Sequence, residues 1–219
     1  MSSTLAFEQL ENIRNASNSD ITRIARLIYQ TDPYIYPAMF QTEGDAVNLI
    51  SQLIQLGNDP MFCLQNLYVA REKQNMAVIG IILWHKGSLE WHAEELRRLA
   101  EKTGIILQNT LLKAEDEYFS YYKQNEAAVI SLINICVDSR YRYSGIGTQM
   151  LRSFVQLHRD EPMELYVLAD NQAAIACYER NGFTTVEECD AFTVTPDKPR
   201  CFKMERGTIS FKTANSRYE

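Results

Sequence analysis

The run Ile135-Cys136-Val137-Asp138-Ser139-Arg140-Tyr141-Arg142-Tyr143-Ser144-Gly145-Ile146-Gly147 carries the clearest chemical signal in the chain. It predicts a short apolar strand, a turn, and a glycine-bearing loop. That loop opens a helix through Thr148, Met150, Leu151, Phe154 and Val155. The first four N–H groups of a helix have no partner within it, and its dipole favours negative charge there. Backbone donors gathered in this way suit a phosphate or pyrophosphate. Gly145 and Gly147 have no Cβ, so an anion can come close to the backbone. Arg142 adds a fixed positive charge. Glycines at such a turn also serve as plain structural punctuation. There is no Gly-Lys-Ser/Thr ending and no third glycine at the dinucleotide spacing, which sets aside the two familiar phosphate loops.

A second run supplies a cap and a phenol. Leu165-Tyr166-Val167-Leu168 predicts a strand, and Asp170 to Phe183 predicts a helix behind it. Asn171 is placed to cap that helix and Gly182 to stop it. Ala174 and Tyr178 are four apart, so they share a helix face. Asn171 lies about two turns before Tyr178, which turns all three to one side.

Arg142-Tyr143-Ser144-Gly145-Ile146-Gly147 resembles the acetyl-CoA pyrophosphate loop of the GNAT superfamily of N-acetyltransferases, Arg/Gln-x-x-Gly-x-Gly/Ala. Asn171 to Phe183 resembles that family's later signature, Asn-x-x-Ala-x-x-x-Tyr-x-x-x-Gly-Phe. The two stand in the family's order, and the resemblance spans Leu132 to Phe183. Tyr143 and Ser144 occupy positions often held by glycine or a basic residue, so this loop leans on backbone donors and Arg142.

The resemblance implies an α/β (α+β) GNAT-like fold: a central mixed, mostly antiparallel sheet flanked by helices. It implies acetyl-CoA as co-substrate and no metal. Ile135, Cys136 and Val137 would offer backbone groups to the pantetheine amides, as a strand pairs with an edge. A backbone N–H there, of Ile135 or Val137, would polarise the thioester carbonyl. Arg142, Tyr143, Ser144, Gly145, Ile146 and Gly147 would hold the pyrophosphate. Asn171 and Ala174 would contact the cofactor, Asn171 near its thiol end. Tyr178 would protonate the departing thiolate, since a phenol keeps its proton at neutral pH. The other reading of Tyr178 is a residue that packs under the cofactor.

The elements that must position these residues follow in order. Phe7 to Ala16 predicts a first strand with Leu10, Ile13 and Ala16 inward. Asn18-Ser19-Asp20 predicts the cap of a helix through Ile21, Ile24, Ala25, Leu27 and Ile28. Asp32 to Pro37 reads as a stiff aromatic loop. Gly44-Asp45 leads into a helix carrying Val47, Leu49, Ile50, Leu53, Ile54 and Leu56. Asn66–Arg71 and Met76–His85 predict two strands, the second apolar enough for the centre of a sheet. Ser88 to Glu126 reads as a helical hairpin inserted between core strands, with Leu89, His92, Leu96, Leu99 and Ala100 on one face. Leu111, Leu112, Ala114, Tyr118, Tyr121 and Tyr122 form a second face. That insertion would be a structural cover, a homodimer surface or a substrate-selecting lid. Ala128–Val137 is the strand before the loop. A final hairpin returns through Arg200–Met204, and Thr208–Lys212 would add an edge strand.

The whole, residues 1–219, reads as a single GNAT-like domain with an insertion at about 88–126. Its 46% hydrophobic and 23% charged content are those of an ordinary globular protein. A net charge of −6 argues against nucleic acid as the main partner and is compatible with a cationic amine. Cys63, Cys136, Cys177, Cys189 and Cys201 show no C-x-x-C spacing, which disfavours a metal site or disulfide framework. With no signal-like N-terminus and no apolar run near ~20 residues, the expectation is a cytoplasmic protein without a membrane partner.

Two function classes follow. One is an acetyl-CoA-dependent N-acetyltransferase acting on a small molecule, a peptide N-terminus or a lysine. The other is a catalytically idle acyl-CoA-binding module used for regulation or scaffolding. Glu115, Asp116, Glu117, His85 and Asp138 are conceivable bases, each also readable as a solvated or capping residue. Asn134 and Ser131 lie where some relatives carry a carboxylate and are no bases, so proton removal through ordered water is preferred. His92 and His158 read as surface or satisfied residues.

Overall fold

The structure is a computed structural model that describes residues 4–10, 16–57, 59–89, 94–108, 128–190 and 200–207. In chain order its elements begin with β1 (Leu5–Gln9), α1 (Asn18–Tyr29), α2 (Ile35–Met39) and α3 (Glu43–Leu56). Next are β2 (Leu67–Glu72), β3 (Val78–Lys86), α4 (Glu94–Thr103), β4 (Ile130–Val137) and α5 (Ile146–Leu157). The last are β5 (Met163–Leu168), α6 (Gln172–Glu179), β6 (Thr184–Asp190) and β7 (Arg200–Arg206). Among the described residues the strands form one seven-stranded sheet in the order β1-β2-β3-β4-β5-β7-β6. Every neighbouring pair is antiparallel except β4 with β5. This is the mixed, mostly antiparallel sheet with flanking helices that the resemblance implied.

The sheet is buried on both faces at its centre, and the side-chain alternation assigns each face its helices. Leu67, Val69, Ile81 and Leu83 pack with α1, α3 and α4. Tyr68, Ala70, Ile79 and Ile82 pack with Met150, Leu151 and Phe154 of α5 and with Ile175 of α6. β2 and β3 therefore read as near-continuous apolar runs rather than alternating ones.

Local chemistry sets the helix starts. Ser17 caps α1 and Asp20 closes a capping box with it, one residue earlier than the predicted Asn18-Ser19-Asp20 cap. Thr42 caps α3, which begins at Glu43, ahead of Gly44-Asp45. The stretch read as an aromatic loop holds the short helix α2 instead. Asp32 Oδ1 accepts the N–H groups of Tyr34 and Ile35. Pro37 sits in the first turn, where no intrahelical N–H bond is lost.

Of the segment 88–126, α4 is described. Leu96, Leu99 and Ala100 join the core on the α3 face, and Phe40 bridges to Leu107. The rest of the predicted hairpin, with Leu111 to Tyr122, lies outside the described residues, as do Ile13, His92, Glu115, Asp116, Glu117 and Thr208–Lys212. β1 ends at Gln9, short of the predicted span. No helix among the described residues is long and apolar enough to cross a membrane.

β4 and β5 share only three register pairs, Ile130↔Met163, Ser131↔Glu164 and Leu132↔Leu165. Past Leu132 the two strands separate. On the other side of β4 the pairing with β3 shifts register between Leu83 and Trp84, leaving Ile133 unmatched. A bulge of this kind bends and twists its strand. The point of separation is pinned by a buried polar chain across three strands. Ser131 Oγ donates to Glu164 Oε1 at 3.0 Å, and Lys203 Nζ lies 3.1 Å from Glu164 Oε2. Glu164 is buried, and the two glutamates 164 and 205 push the Lys203 ammonium pKa up against the cost of burial.

Breaking one member of such a buried pair is costly. Glu164→Leu should destabilise the protein by about 3 kcal/mol, because Ser131 and Lys203 lose a buried partner. Urea unfolding measures it as a lower midpoint at an unchanged slope. An unchanged midpoint would show that the chain does not hold the strands at this point.

Candidate active site

Beyond the parting of β4 and β5 lies an open cleft of about 610 Å³. Ile135, Cys136 and Val137 line it from β4, Arg142, Tyr143, Gly145 and Gly147 from the loop, and Asn171, Ala174 and Tyr178 from α6. The two sequence runs, separate in the chain, thus meet at one place. Ser144 and Ile146 do not line it: Ser144 Oγ turns back to donate to the Tyr141 carbonyl, and Ile146 is buried in the core. Gln30, Thr31, Thr148, Cys177 and Arg180 also line the cleft and were not singled out from sequence. Thr148 and Cys177 sit within the two recognised runs. Gln30 and Thr31 follow the end of α1, where no local pattern marks them.

Backbone direction along β4 follows from one bond. The Asp138 N–H donates to the Ile79 carbonyl on β3. Antiparallel alternation then turns the backbone groups of Val137 and Ile135 to the opposite edge, toward the separation. One of those groups is already taken: Arg142 Nε donates to the Val137 carbonyl at 2.9 Å. Arg142 Nη2 also reaches Cys136 Sγ at 3.8 Å. Burial pushes the Cys136 thiol pKa up, and Arg142 opposes part of that rise.

The loop has an unusual backbone. Tyr143 at φ +61° and Gly145 at φ +82° are both left-handed, and Gly145 is the N-cap of α5. Changes of handedness along a short loop create concavities lined by N–H groups. The first intrahelical bond runs from Gln149 N–H to the Gly145 carbonyl, so the amides before Gln149 lie ahead of the helical ladder. The Tyr143 side chain is 95% exposed, so it contributes backbone rather than packing. A Cβ at Gly147 would meet only Val137 Cγ2, at 3.6 Å. The protein itself therefore leaves room there. The donor set of main-chain amides, glycines and one guanidinium fits a pyrophosphate.

Tyr178 is held from both ends of its helix. Asn171 Oδ1 accepts the Ala174 N–H at 3.2 Å, which confirms the predicted cap geometry. After the helix, Phe183 N–H donates to the Tyr178 carbonyl, and the two rings stand 6.2 Å apart. Burial drives the phenol pKa well above its ordinary value near 10, so the group is protonated across the neutral range.

The candidate bases fare differently. Asp138 is committed to Arg23 at 2.7 Å and to Arg140 at 2.9 Å, and it caps the turn after β4. The arginine bonds hold its carboxyl well below the usual carboxylate range, which makes it a weak proton acceptor. His85 is absent from the residues that line the cleft, and burial lowers its pKa. Asn134 is buried, donates from Nδ2 to Thr31 Oγ1 at 2.6 Å and accepts from the Tyr36 hydroxyl at 3.3 Å. His158 Nδ1 lies 2.8 Å from Glu161 Oε1 and its ring stands beside Phe154, but its buried Nε2 has no hydrogen-bond partner among the described residues, so it is not the satisfied residue expected.

The described strands thus form a mixed sheet that parts between two parallel neighbours, with a glycine loop and helix N-terminus beside the gap. Residues 110–183 match the acetyltransferase (GNAT) family. That match covers about a third of the chain, and the fold of the described residues resembles that of solved acetyltransferases. It is 33% identical over 110 residues to a mycothiol acetyltransferase of Corynebacterium glutamicum, covering 48% of this chain and 38% of that protein. The chain thus spans well under half the length of that curated relative. Among solved structures it resembles an N-acetyltransferase from Staphylococcus aureus, with TM-score 0.61 and 16% identity over 91% of this chain and 99% of that one. It also resembles a chain of the NatC complex bound to Gag peptide and CoA, with TM-score 0.51 and 16% identity over 94% and 99% of the two chains.

The two glycines should behave oppositely. Gly145→Ala forces a Cβ into the left-handed region and should cost about 1–2 kcal/mol. Gly147→Ala replaces a helical glycine where space is open, and should leave stability unchanged or raise it by up to ~1 kcal/mol. Thermal unfolding of the two variants checks this. Equal losses would mean that the loop conformation does not depend on Gly145.

Proposed function

We propose that the protein transfers an acetyl group from acetyl-CoA to a primary amine. The observation that carries this reading is the convergence of the open β4 edge, the loop at the start of α5 and Tyr178 on a single cleft. The mycothiol acetyltransferase relative and the CoA-bound NatC structure support the choice of donor. The acceptor class stays at the level of an amine on a small molecule or a peptide.

Acetyl-CoA supplies an activated thioester. The amides of Gly145, Ile146 and Gly147 with Arg142 hold its pyrophosphate, where helix dipole and hydrogen bonds act together. The outward N–H groups of Ile135 and Val137 pair with the pantetheine arm, and one of them polarises the thioester carbonyl. Asn171 and Ala174 contact the arm near its thiol end. Tyr178 donates its proton to the sulfur as the bond to carbon breaks, since its buried phenol is protonated at neutral pH. With Asp138 held by two arginines, ordered water takes the ammonium proton, and Thr31, which lines the cleft with the buried Asn134 bonded behind it, is a site to hold that water. The described half of the 88–126 segment packs on the α3 face, opposite α5, so we assign it to the acceptor side.

Acetyl-CoA at about 100 times its dissociation constant should add ~2.7 kcal/mol of stability, a rise in Tm of roughly 5–10 °C for a chain of this size. Gly147→Val should still fold and lose most of that shift, because its branched side chain occupies the space of the phosphate. No shift for the parent, with ATP and NAD equally inert, would sink the reading. A screen of amine acceptors monitored by free CoA then identifies the substrate.

Tyr178→Phe keeps the ring and removes the donor. Its kcat should fall on the order of 10²-fold, while the KM for acetyl-CoA changes little. In the parent, deprotonation of Tyr178 should not limit the rate below about pH 10, since burial raises its pKa. Undiminished turnover in a chemistry-limited assay would assign Tyr178 to cofactor positioning. A binder with Tyr178 intact and no turnover on any amine would favour the idle module.

A further inference from the structure

Away from the cleft edge, β6 and β7 place two cysteines face to face. Cys189 and Cys201 are direct register partners, and their sulfurs stand 2.7 Å apart. Opposed residues of an antiparallel pair have Cα atoms ~4.5–5.5 Å apart. That lies inside the ~4.4–6.8 Å that a disulfide spans, and the sulfurs need to approach by only ~0.7 Å to reach a bond. Both lie within paired strands, so closure requires no large rearrangement of the sheet.

The two thiols differ in access. Cys189 is half-buried on the outer strand β6, whose other side chains are exposed. Cys201 is buried on β7. Burial and its neighbours Cys189, Asp190 and Glu187 push the Cys201 thiol up. Cys189 is therefore the point of entry for a reagent, and Cys201 the second, resolving sulfur.

We propose that Cys189 and Cys201 form a reversible intramolecular disulfide, with a low-molecular-weight disulfide as the oxidant. The Cys189 thiolate attacks one sulfur of the small disulfide, forms a mixed disulfide and releases one thiol. The Cys201 thiolate then attacks Cys189 Sγ, forming the protein disulfide and expelling the second thiol. The protein loses two hydrogens and two electrons, and one small disulfide becomes two thiols. A small-molecule thiol in excess reverses both steps.

The bond would act on a definite place. Cys201 is also the register partner of Leu168 at the end of β5, and the Ala169 N–H donates to the Arg200 carbonyl at 2.9 Å. The next turn carries Asn171, the cap of α6. Oxidation thus fastens the hairpin end that flanks this turn.

The test uses the full chain in glutathione buffers of rising oxidised fraction, read by intact mass and by peptide mapping without reduction. The expected result is the loss of two hydrogens with no adduct, and one peptide joining Cys189 to Cys201. The Tm should rise on the order of 5 °C over the reduced protein. Cys189→Ser and Cys201→Ser should each abolish both changes. If Cys201→Ser does not fold, differential alkylation of the oxidised parent decides. Cys189 and Cys201 should then be protected on denaturation, while Cys63, Cys136 and Cys177 react. A stable glutathione adduct on Cys189, a bond to another cysteine or another chain, or full alkylation of both thiols would overturn the proposal.

Discussion

The structure depends on where a parallel strand pair stops. β4 and β5 are joined from Ile130 to Leu132 and part after that. A backbone N–H or C=O removed from water without a partner costs about 1–3 kcal/mol. A sheet that opens in its middle therefore exposes groups that call for a substitute strand, unlike an outer edge that faces solvent freely. The Arg142 side chain answers this demand at the Val137 carbonyl. The remaining outward groups of β4 are suited to a ligand with amides of its own.

Keeping the strands apart needs as much structure as joining them. Below the fork, Ser131, Glu164 and Lys203 lock β4, β5 and β7 in register through a buried polar chain. Above it, Ile146, Met150, Leu151 and Phe154 seat α5 in the core shared with Ile175 and Tyr178 of α6. The helices fill the face of the sheet on which the strands diverge, and neither strand can swing back. On the opposite face α1 reaches the same end of β4 through the Arg23–Asp138 ion pair. This is also why Asp138 is unavailable as a base: its charge is used to fasten the turn that aims the loop.

The loop and the Asn171–Tyr178 helix were legible because both are local. Their chemistry depends on caps, left-handed glycines and one-turn spacings that neighbours in sequence determine. The central strands were legible for a related reason, since burial on both faces leaves a continuous apolar run. What escaped was non-local or depended on small energetic choices. Thr31 and Gln30 reach the cleft only because α1 ends beside β4. The helix α2 was hidden behind Pro33 and Pro37, and Asp32 tips that balance by capping two N–H groups. The Glu164 clamp joins strands far apart in sequence, and a lone Glu between Met163 and Leu165 gives no sign that it will be buried.

The helix that bears Tyr178 shows how a side-chain position is fixed without a rigid element of its own. At eight residues, α6 is too short to be stable in isolation. Its orientation must come from its ends and its buried face. Asn171 ties the first turn and Asn181 Nδ2 binds the Cys177 carbonyl in the last one. Gly182, at φ +87°, reverses the chain so that Phe183 can insert beneath the phenol. Ile175 and Tyr178 then supply the apolar contacts. Each constraint is modest, of order 1 kcal/mol for a cap or a bond. They act on the same two turns, so the ring cannot shift without breaking several at once. That coupling explains why the Asn171, Ala174, Tyr178, Gly182 and Phe183 positions form one pattern: the phenol, its support and the reversal that delivers the support are a single mechanical unit.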